Sequence, residues 1–458
     1  MAVGQMFKLG EIAHRPSVNI RFSNDGNEPN LGVGQKIGAA LIKSNWGPVG
    51  KAQTIYARDL EKLKGLIGTG KGPDVVKSFL VGGASAVQVI RVGNGGEHAT
   101  AQLGAESGIV KFVTKYPTDR ALSVMIRESV MGDEKDVYIV EDDRRLESYR
   151  IPGGEDEAET LVKAMENSEY LIATKEAEGT LPQSDEVELE GGENPKSTAE
   201  DYTNAMAVSE TVAWDVIVSD THDITVHNAL ATFVRRRVRE GHRVWTVLAM
   251  DPEIDFELLK ETPKMYNRPP IYVVGMAIGD LTIEETTALV AGETIRGDYR
   301  RNLSQKPMPG VTTIDPLTPE QYDIAAQVGL IVFDYNHKGQ VVLDYAVNTL
   351  QNSDEEVDMG WRSLRRMRTR YELIDRIVYR IADLMQKGVS IKDVEHIIMI
   401  GNDVIDEMIT EGGLESGRMI VDPERLPEGD SAWFTFENLV DLDGLNKVYI
   451  HFPFAFKR

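Results

Sequence analysis

Apolar and polar side chains alternate at both ends of the chain. Over residues 445–456, Val448, Ile450, Phe452, Phe454 and Phe456 fall on one face and Lys447, Tyr449, His451, Pro453 and Ala455 on the other, the two-residue period of a strand. Near the other end, Val18, Ile20 and Phe22 alternate with Asn19, Arg21 and Ser23, between Arg15-Pro16 and the turn-forming Asn24-Asp25-Gly26. Neither predicted strand has an evident partner nearby in sequence. Unpaired strand edges aggregate unless another sheet receives them, so the two ends read as arms added to the sheets of neighbouring subunits. The alternative is that each folds back onto its own domain.

Between the ends the period changes several times. Residues 37–43, 73–81 and 86–92 read as strand, helix, strand, with Pro73 at the helix start. From 98 to 193 the period is two, in short pieces at 109–114, 122–127, 137–140, 170–173 and 187–189 separated by Gly, Pro and Asp turns, which predicts an inserted β-sandwich. Gly191-Gly192-Glu193-Asn194-Pro195 reads as a linker, and Ser197 with Glu200 as a capping box opening the next helix. Apolar strands at 214–218, 244–250, 271–277 and 330–333 then alternate with helices, notably 226–240 ending at Gly241. Such runs suit a sheet covered on both faces, so the predicted fold is α/β with a discontinuous core, 25–97 and 194–345, interrupted by the sandwich.

The clearest helix opens the last region. Leu364, Met367, Tyr371, Ile374, Val378, Ile381 and Met385 recur at alternating spacings of three and four, and Gly388 closes the run. Arg362, Arg365, Arg366, Arg376 and Arg380 cluster opposite that stripe, with Arg368 and Arg370 at its flanks. This basic face is either a solvated surface or a docking surface for an acidic partner.

Composition narrows the function. A chain of 458 residues is long enough for about three domains. It has 41% hydrophobic and 27% charged residues, no apolar run approaching a membrane span and no signal-peptide pattern, so cytosolic folding without membrane insertion is expected. Without cysteine there are no disulfides, thiolate metal sites or cysteine nucleophiles. A net charge of -23 argues against nucleic-acid binding; residues 133–201, with 22 acidic and 7 basic side chains, supply most of the excess.

Two stretches carry possible chemistry. Gly65-Leu66-Ile67-Gly68-Thr69-Gly70-Lys71-Gly72 nearly matches a phosphate-binding loop, but Gly72 replaces the magnesium-holding hydroxyl and the loop follows a predicted helix. The group Asp220, His222, Asp223 and His227 lies where a strand gives way to a helix, yet the five-residue spacing of its histidines misses one helix face and no G-x-S-x-G elbow accompanies it. An α/β enzyme or nucleotide binder using Gly65 to Gly72 or Asp220 to His227 is the competing reading, and no cofactor, metal or catalytic set is expected.

The segments together resemble the contractile tail sheath proteins of tailed bacteriophages and phage-tail-like particles, most of all those of Gram-positive phages and defective prophages. The resemblance rests on Arg15-Pro16-Ser17-Val18-Asn19-Ile20-Arg21-Phe22, Asn45-Trp46-Gly47-Pro48, Val87-Gln88-Val89-Ile90-Arg91-Val92, Asp344-Tyr345-Ala346-Val347-Asn348-Thr349-Leu350 and the closing strand, in that order. Ser17 and Asn19 depart from the Gly and aromatic residue common in the family. The resemblance implies an N-terminal arm (1–24), an α/β core, an outward β-sandwich (98–193) and an α+β C-terminal domain (346–458) ending in a second arm (445–458), the arms adding strands to neighbours. It also implies a structural subunit stacked in six-subunit rings around a tail tube, with baseplate and tail terminator proteins as further partners. Such a sheath is assembled in the bacterial cytoplasm as part of a virion tail or tail-like particle. The arginine face is then expected to meet the tube.

Overall fold

The structure is a computed structural model that describes residues 3–6, 18–20, 36–104, 107–129, 133–353, 357–382, 391–424, 432–446 and 451. At its start, Val3–Met6 (β1) and Val18–Ile20 (β2) form a parallel pair. The expectation that the strand holding Val18 and Ile20 has no partner nearby in sequence is therefore corrected. Val3-Gly4-Gln5-Met6 shows no alternation, so no period marks this strand. Phe22 and the C-terminal arm positions Val448, Ile450, Phe452, Phe454 and Phe456 lie outside the described residues.

The largest sheet has seven strands: Ile37–Ile42 (β3), Ala52–Tyr56 (β4), Ala86–Arg91 (β5), Val216–Ser219 (β13), Trp245–Ala249 (β14), Ile271–Val274 (β15) and Leu330–Ile331 (β16). Their order is β16-β15-β14-β13-β3-β5-β4, all parallel except the antiparallel edge strand β4. Alternate residues face two cores. Ala40 and Ile42 point towards Leu63–Ile67 (α1), Lys71–Gly82 (α2) and Ile283–Ile295 (α8). Ala39 and Leu41 point towards Ala199–Ser209 (α4), Ile224–Arg239 (α5), Phe256–Leu259 (α6), Thr262–Tyr266 (α7) and Pro319–Val328 (α9). Two glycines let α2 and α8 touch backbone to backbone: a Cβ on Gly82 would lie 2.4 Å from the Leu289 carbonyl, and one on Gly292 2.3 Å from that of Phe79. The cap of α4 is one residue later than read: Thr198 Oγ accepts from the Asp201 amide and the Asp201 carboxylate from the Thr198 amide, 2.8 Å.

Between β5 and α4 the chain forms two further antiparallel sheets over one core. Thr100–Leu103 (β6), Ile109–Thr114 (β7) and Leu171–Ala177 (β11) make three strands. Ser123–Glu128 (β8), Glu134–Glu141 (β9), Arg144–Pro152 (β10) and Ser184–Glu188 (β12) make four. Phe112, Val124, Ile126, Val137 and Ile139 fill the space between, joined by Leu161 of Glu157–Ala164 (α3), a helix the two-residue period does not predict. Asn94 bridges to Lys196 and Glu97 to Glu193 where the chain enters and leaves this unit.

This unit is pinned to the seven-stranded sheet. Trp46, in the turn after β3, is 2% exposed and lies inside the outer core against Tyr116, at 5.2 Å edge-on, and Tyr170 at 5.6 Å. The Arg120 guanidinium sits 4.8 Å over its ring while bonding the buried Glu141 carboxylate at 2.7 Å. From β5, buried Arg91 donates to the Ser44 and Gly47 carbonyls at 2.8 and 2.9 Å and to Asn194 Oδ1 at 3.4 Å. The Asn45-Trp46-Gly47-Pro48 motif is thus the joint between two cores.

The segment after the small hairpin Phe333–Tyr335 (β17) and Val341–Leu343 (β18) is a second joint. Asn348 and Thr349 are fully buried. The Thr349 amide donates to the Ile271 carbonyl at 3.0 Å, and Asn348 Nδ2 to the Trp361 carbonyl at 2.6 Å. Beyond it come Leu364–Ala382 (α10), Ile391–Glu411 (α11) and the antiparallel pair Leu414–Val421 (β19) and Phe434–Asp441 (β20).

Candidate assembly site

The stripe predicted on α10 divides in two. Leu364, Met367 and Tyr371 are buried in the core beneath the seven-stranded sheet. One turn further the buried positions become Leu373 and Ile377, packed with Val404, Ile405 and Met408 of α11 and Leu414 and Met419 of β19. Ile374 and Val378, read as buried with the rest, are 39% and 53% exposed. Packing against α11 and the β19–β20 pair turns the buried face and leaves Ile374 and Val378 uncovered, while Ile381 is partly buried against the second cluster and Met385 lies outside the described residues.

Those uncovered positions line a groove. It runs between α10 and the β19–β20 pair, has a volume of about 570 Å³, and is walled by Ile374, Val378, Leu414, Phe434, Phe436 and Leu439, with Trp361, Arg370 and Asp441 among its other wall residues. Phe436, Leu439 and Val440 are 38%, 38% and 41% exposed. Among the described residues, β19 and β20 pair only with each other; on β19 the Met419 amide donates to Asn402 Oδ1 of α11 at 2.8 Å and its carbonyl accepts from Asn402 Nδ2 at 3.2 Å, so the edge left without a neighbouring element is that of β20. Of these residues, Ile374 and Val378 were named from the sequence as part of the α10 stripe; β20, α11 and Asp441 were not tied to it by any spacing.

The five arginines read as an outward face are all engaged within the chain. Arg362 Nη2 donates to the Ala326 and Gln327 carbonyls of α9 at 2.7 and 2.5 Å, and Arg365 Nη2 to the Gly412 carbonyl at 3.2 Å. Arg366, with Arg370, holds Asp441 on β20 at 2.5 and 2.7 Å. Arg376 bridges Glu372 and Glu411 at 2.8 and 2.9 Å, and Arg380 reaches Glu407 at 2.6 Å. Burial would push the Asp441 carboxyl up, but hydrogen bonds from Arg366 and Arg370 outweigh it and hold the pKa below the usual range. The helix acts as a spoked hub fixing α9, α11 and β20 around itself.

The competing chemical sites are occupied by structural bonds. Thr69, in the glycine loop, donates its amide to Asn45 Oδ1 at 2.8 Å, and Gly72 lets α2 approach β3, since a Cβ there would meet the Lys43 carbonyl at 2.1 Å. Asp220 accepts from Tyr202 Oη and the Lys43 amide. Asp223 caps α5 through the Thr225 amide, His222 faces Glu284 at 2.7 Å, and His227 Nε2 meets the Thr221 carbonyl at 2.8 Å. Burial pushes His227 down to about 4, so its ring is neutral. Among the described residues there is no group of three or more His, Asp or Glu placed to hold a metal, and no helix long and apolar enough to cross a membrane.

No protein-family model matches the chain, and comparison with curated proteins finds no match. Solved structures do match. A sheath tail protein of Desulfitobacterium hafniense is 17% identical, with a TM-score of 0.70 over 92% of this chain and 100% of that one. The chain has the fold of a tail sheath protein. A second sheath tail protein, from Listeria innocua, is 18% identical with a TM-score of 0.66, covering 89% of this chain and 95% of its own. The sheath of the anti-feeding prophage in its contracted state is 9% identical with a TM-score of 0.55, over 96% and 99%. The sheath fold therefore accounts for nearly the whole length of the chain.

Proposed function

We propose that this protein is the structural subunit of a contractile tail sheath. Copies stack in six-subunit rings around a tail tube between a baseplate and a tail terminator. Contraction shortens and widens the stack and drives the tube through a target cell envelope. The observation that carries the reading is the two-stranded β19–β20 pair beside an apolar groove, in a chain whose residues 445–456 alternate apolar and polar in sequence. Strand addition supplies both missing elements at once: main-chain bonds to the open edge and side chains for the groove. The occupant is the C-terminal arm, 445–458, of a second copy, presenting Val448, Ile450, Phe452, Phe454 and Phe456. The N-terminal arm, with Val18, Ile20 and Phe22, reaches a further neighbour.

In this division residues 25–97 and 194–345 form the α/β core, 98–193 the outer unit and 346–458 the C-terminal domain nearest the tube. Main-chain bonds of exchanged strands keep copies linked while the cores rotate as rigid bodies between two interface arrangements, so the energy comes from assembly and no nucleotide is consumed. Contact of Arg362, Arg365, Arg366, Arg376 or Arg380 with an acidic tube requires exchange of their internal acceptors. Their first role is to hold α10 in place. The particle is a virion tail or headless tail-like device assembled in the host cytoplasm. Deleting 445–458 should leave a soluble, folded monomer that forms no rings or tubes by negative-stain microscopy; normal tubes from this truncation refute the reading.

A further inference from the structure

The root of the C-terminal arm is held where four segments meet. The Leu442 amide, just past β20, donates to the Gly413 carbonyl in the turn between α11 and β19 at 3.0 Å. Ser363 Oγ, immediately before α10, donates to Asp443 Oδ1 at 2.8 Å. Asn302 Nδ2, in the loop after α8, donates to Asn446 Oδ1 at 2.8 Å. A Cβ on Gly444 would lie 2.2 Å from that same nitrogen, so the glycine is what lets the loop press on the arm root. Asn302 is itself fixed, its Oδ1 accepting from the Ser304 amide at 3.1 Å. Arg365 of α10 closes the junction by donating to the neighbouring Gly412 carbonyl at 3.2 Å.

The sequence at this point favours another course. Asp443-Gly444 stands between β20 and the alternating run 447–456, and an Asp-Gly pair so placed is a strong hairpin signal. Closing that hairpin would lay the arm along the free edge of β20 in its own molecule. The two-residue turn it needs has positive φ at both central residues. Neither Asp443 nor Gly444 has positive φ here. We propose that Asn302, Ser363 and the Gly413 carbonyl form an anchoring site for residues 442–446 that prevents this hairpin and commits the arm to a second copy. A strand that fits the same edge in its own chain and in a copy is the starting condition for exchange between identical subunits, and the anchor decides between the two. The inference rests on the sheath reading and names what regulates its arm. Each bond is modest alone, and together they oppose a two-stranded turn that is itself marginal.

The test compares full-length chains by hydrogen exchange below the concentration at which they polymerise. Relative to wild type, exchange over 447–456 should be slowed about tenfold in N302A/S363A, which should also need about tenfold more protein to assemble. Adding G444V, whose branched side chain disfavours positive φ, should bring both readings back to the wild-type values. N446A, which alters only an exposed side chain, should move both readings the same way by a smaller factor, and it carries the test if the double variant does not fold. Equal exchange in wild type and these variants, or weaker assembly without slower exchange, overturns the anchor and leaves the sheath reading standing. Wild-type chains that form no polymer overturn both.

Discussion

The seven-stranded sheet and the β19–β20 pair follow the same pairing rules and end differently. In the large sheet both faces are covered by helices, and Tyr272, Val273, Val274 and Phe79 are completely buried. Its first edge is closed by a turned-back strand, β4. The β19–β20 pair has two strands, one covered face and three half-exposed apolar side chains, Phe436, Leu439 and Val440. An isolated pair of strands is marginal in water. Here the Asp441 carboxylate, clamped by Arg366 and Arg370, anchors it to α10. The difference teaches where the proposed assembly would act: the sheet is covered on both faces within one molecule, and the pair is the part that the proposed strand addition would complete.

The sharpest way to break the comparison is to damage the closed region. Phe79→Ala, beneath a β3 glycine whose Cβ would lie 2.2 Å from the Phe79 ring, should cost about 3–5 kcal/mol in urea unfolding of the monomer and lower the yield of folded chain. Next in size is a pH effect confined to the same region. Burial holds His227 at about 4, so the unfolded chain takes a proton first as pH falls from 7 to 4 and stability is lost. Asp215 is raised by burial to about 6, so the folded chain takes that proton first and stability is gained over the same interval. At 1.36 kcal/mol per unit each contributes about 3 kcal/mol, and they offset. Relative to wild type, Asp215→Asn should lose stability between pH 7 and 4 and His227→Gln should gain it; parallel urea midpoints across that range contradict the pairing. The smallest effect on the monomer is expected in the open region. Phe436→Asp with Leu439→Asp should change unfolding by less than about 1 kcal/mol while abolishing tubes in negative stain. Loss of folding there would place these side chains in the molecule's own core.

Legibility in the sequence follows the same divide. The runs Val216–Ser219, Trp245–Ala249 and Ile271–Val274 are strands buried on both faces, and continuous apolar runs announce such strands. Helix α8 was expected only as an unplaced helix between the strands at 271–277 and 330–333, because every residue from Ile283 to Ile295 except Glu284 and Glu285 is buried, Glu293 and three threonines included, leaving no polar face to set a period. Strand β10 escaped for the opposite reason, carrying Arg144, Arg145, Glu147 and Arg150 on a sheet edge. At the candidate site, a helical wheel grouped Arg362, Arg365, Arg366, Arg376 and Arg380 on one face. It had no means of knowing that their acceptors sit as far away as Asp441, 75 residues from Arg366. Charge was visible in the sequence, but its partners were set by tertiary packing.

One consequence follows from Trp46. Because this side chain is rooted in the turn after β3 and embedded among Tyr116, Tyr170 and Arg120, the outer unit has no slack with respect to the sheet that carries it. Under the proposed sheath function, a core that turned by some angle would carry this unit through the same angle, so the girth of the assembled tube would gauge each subunit's turn.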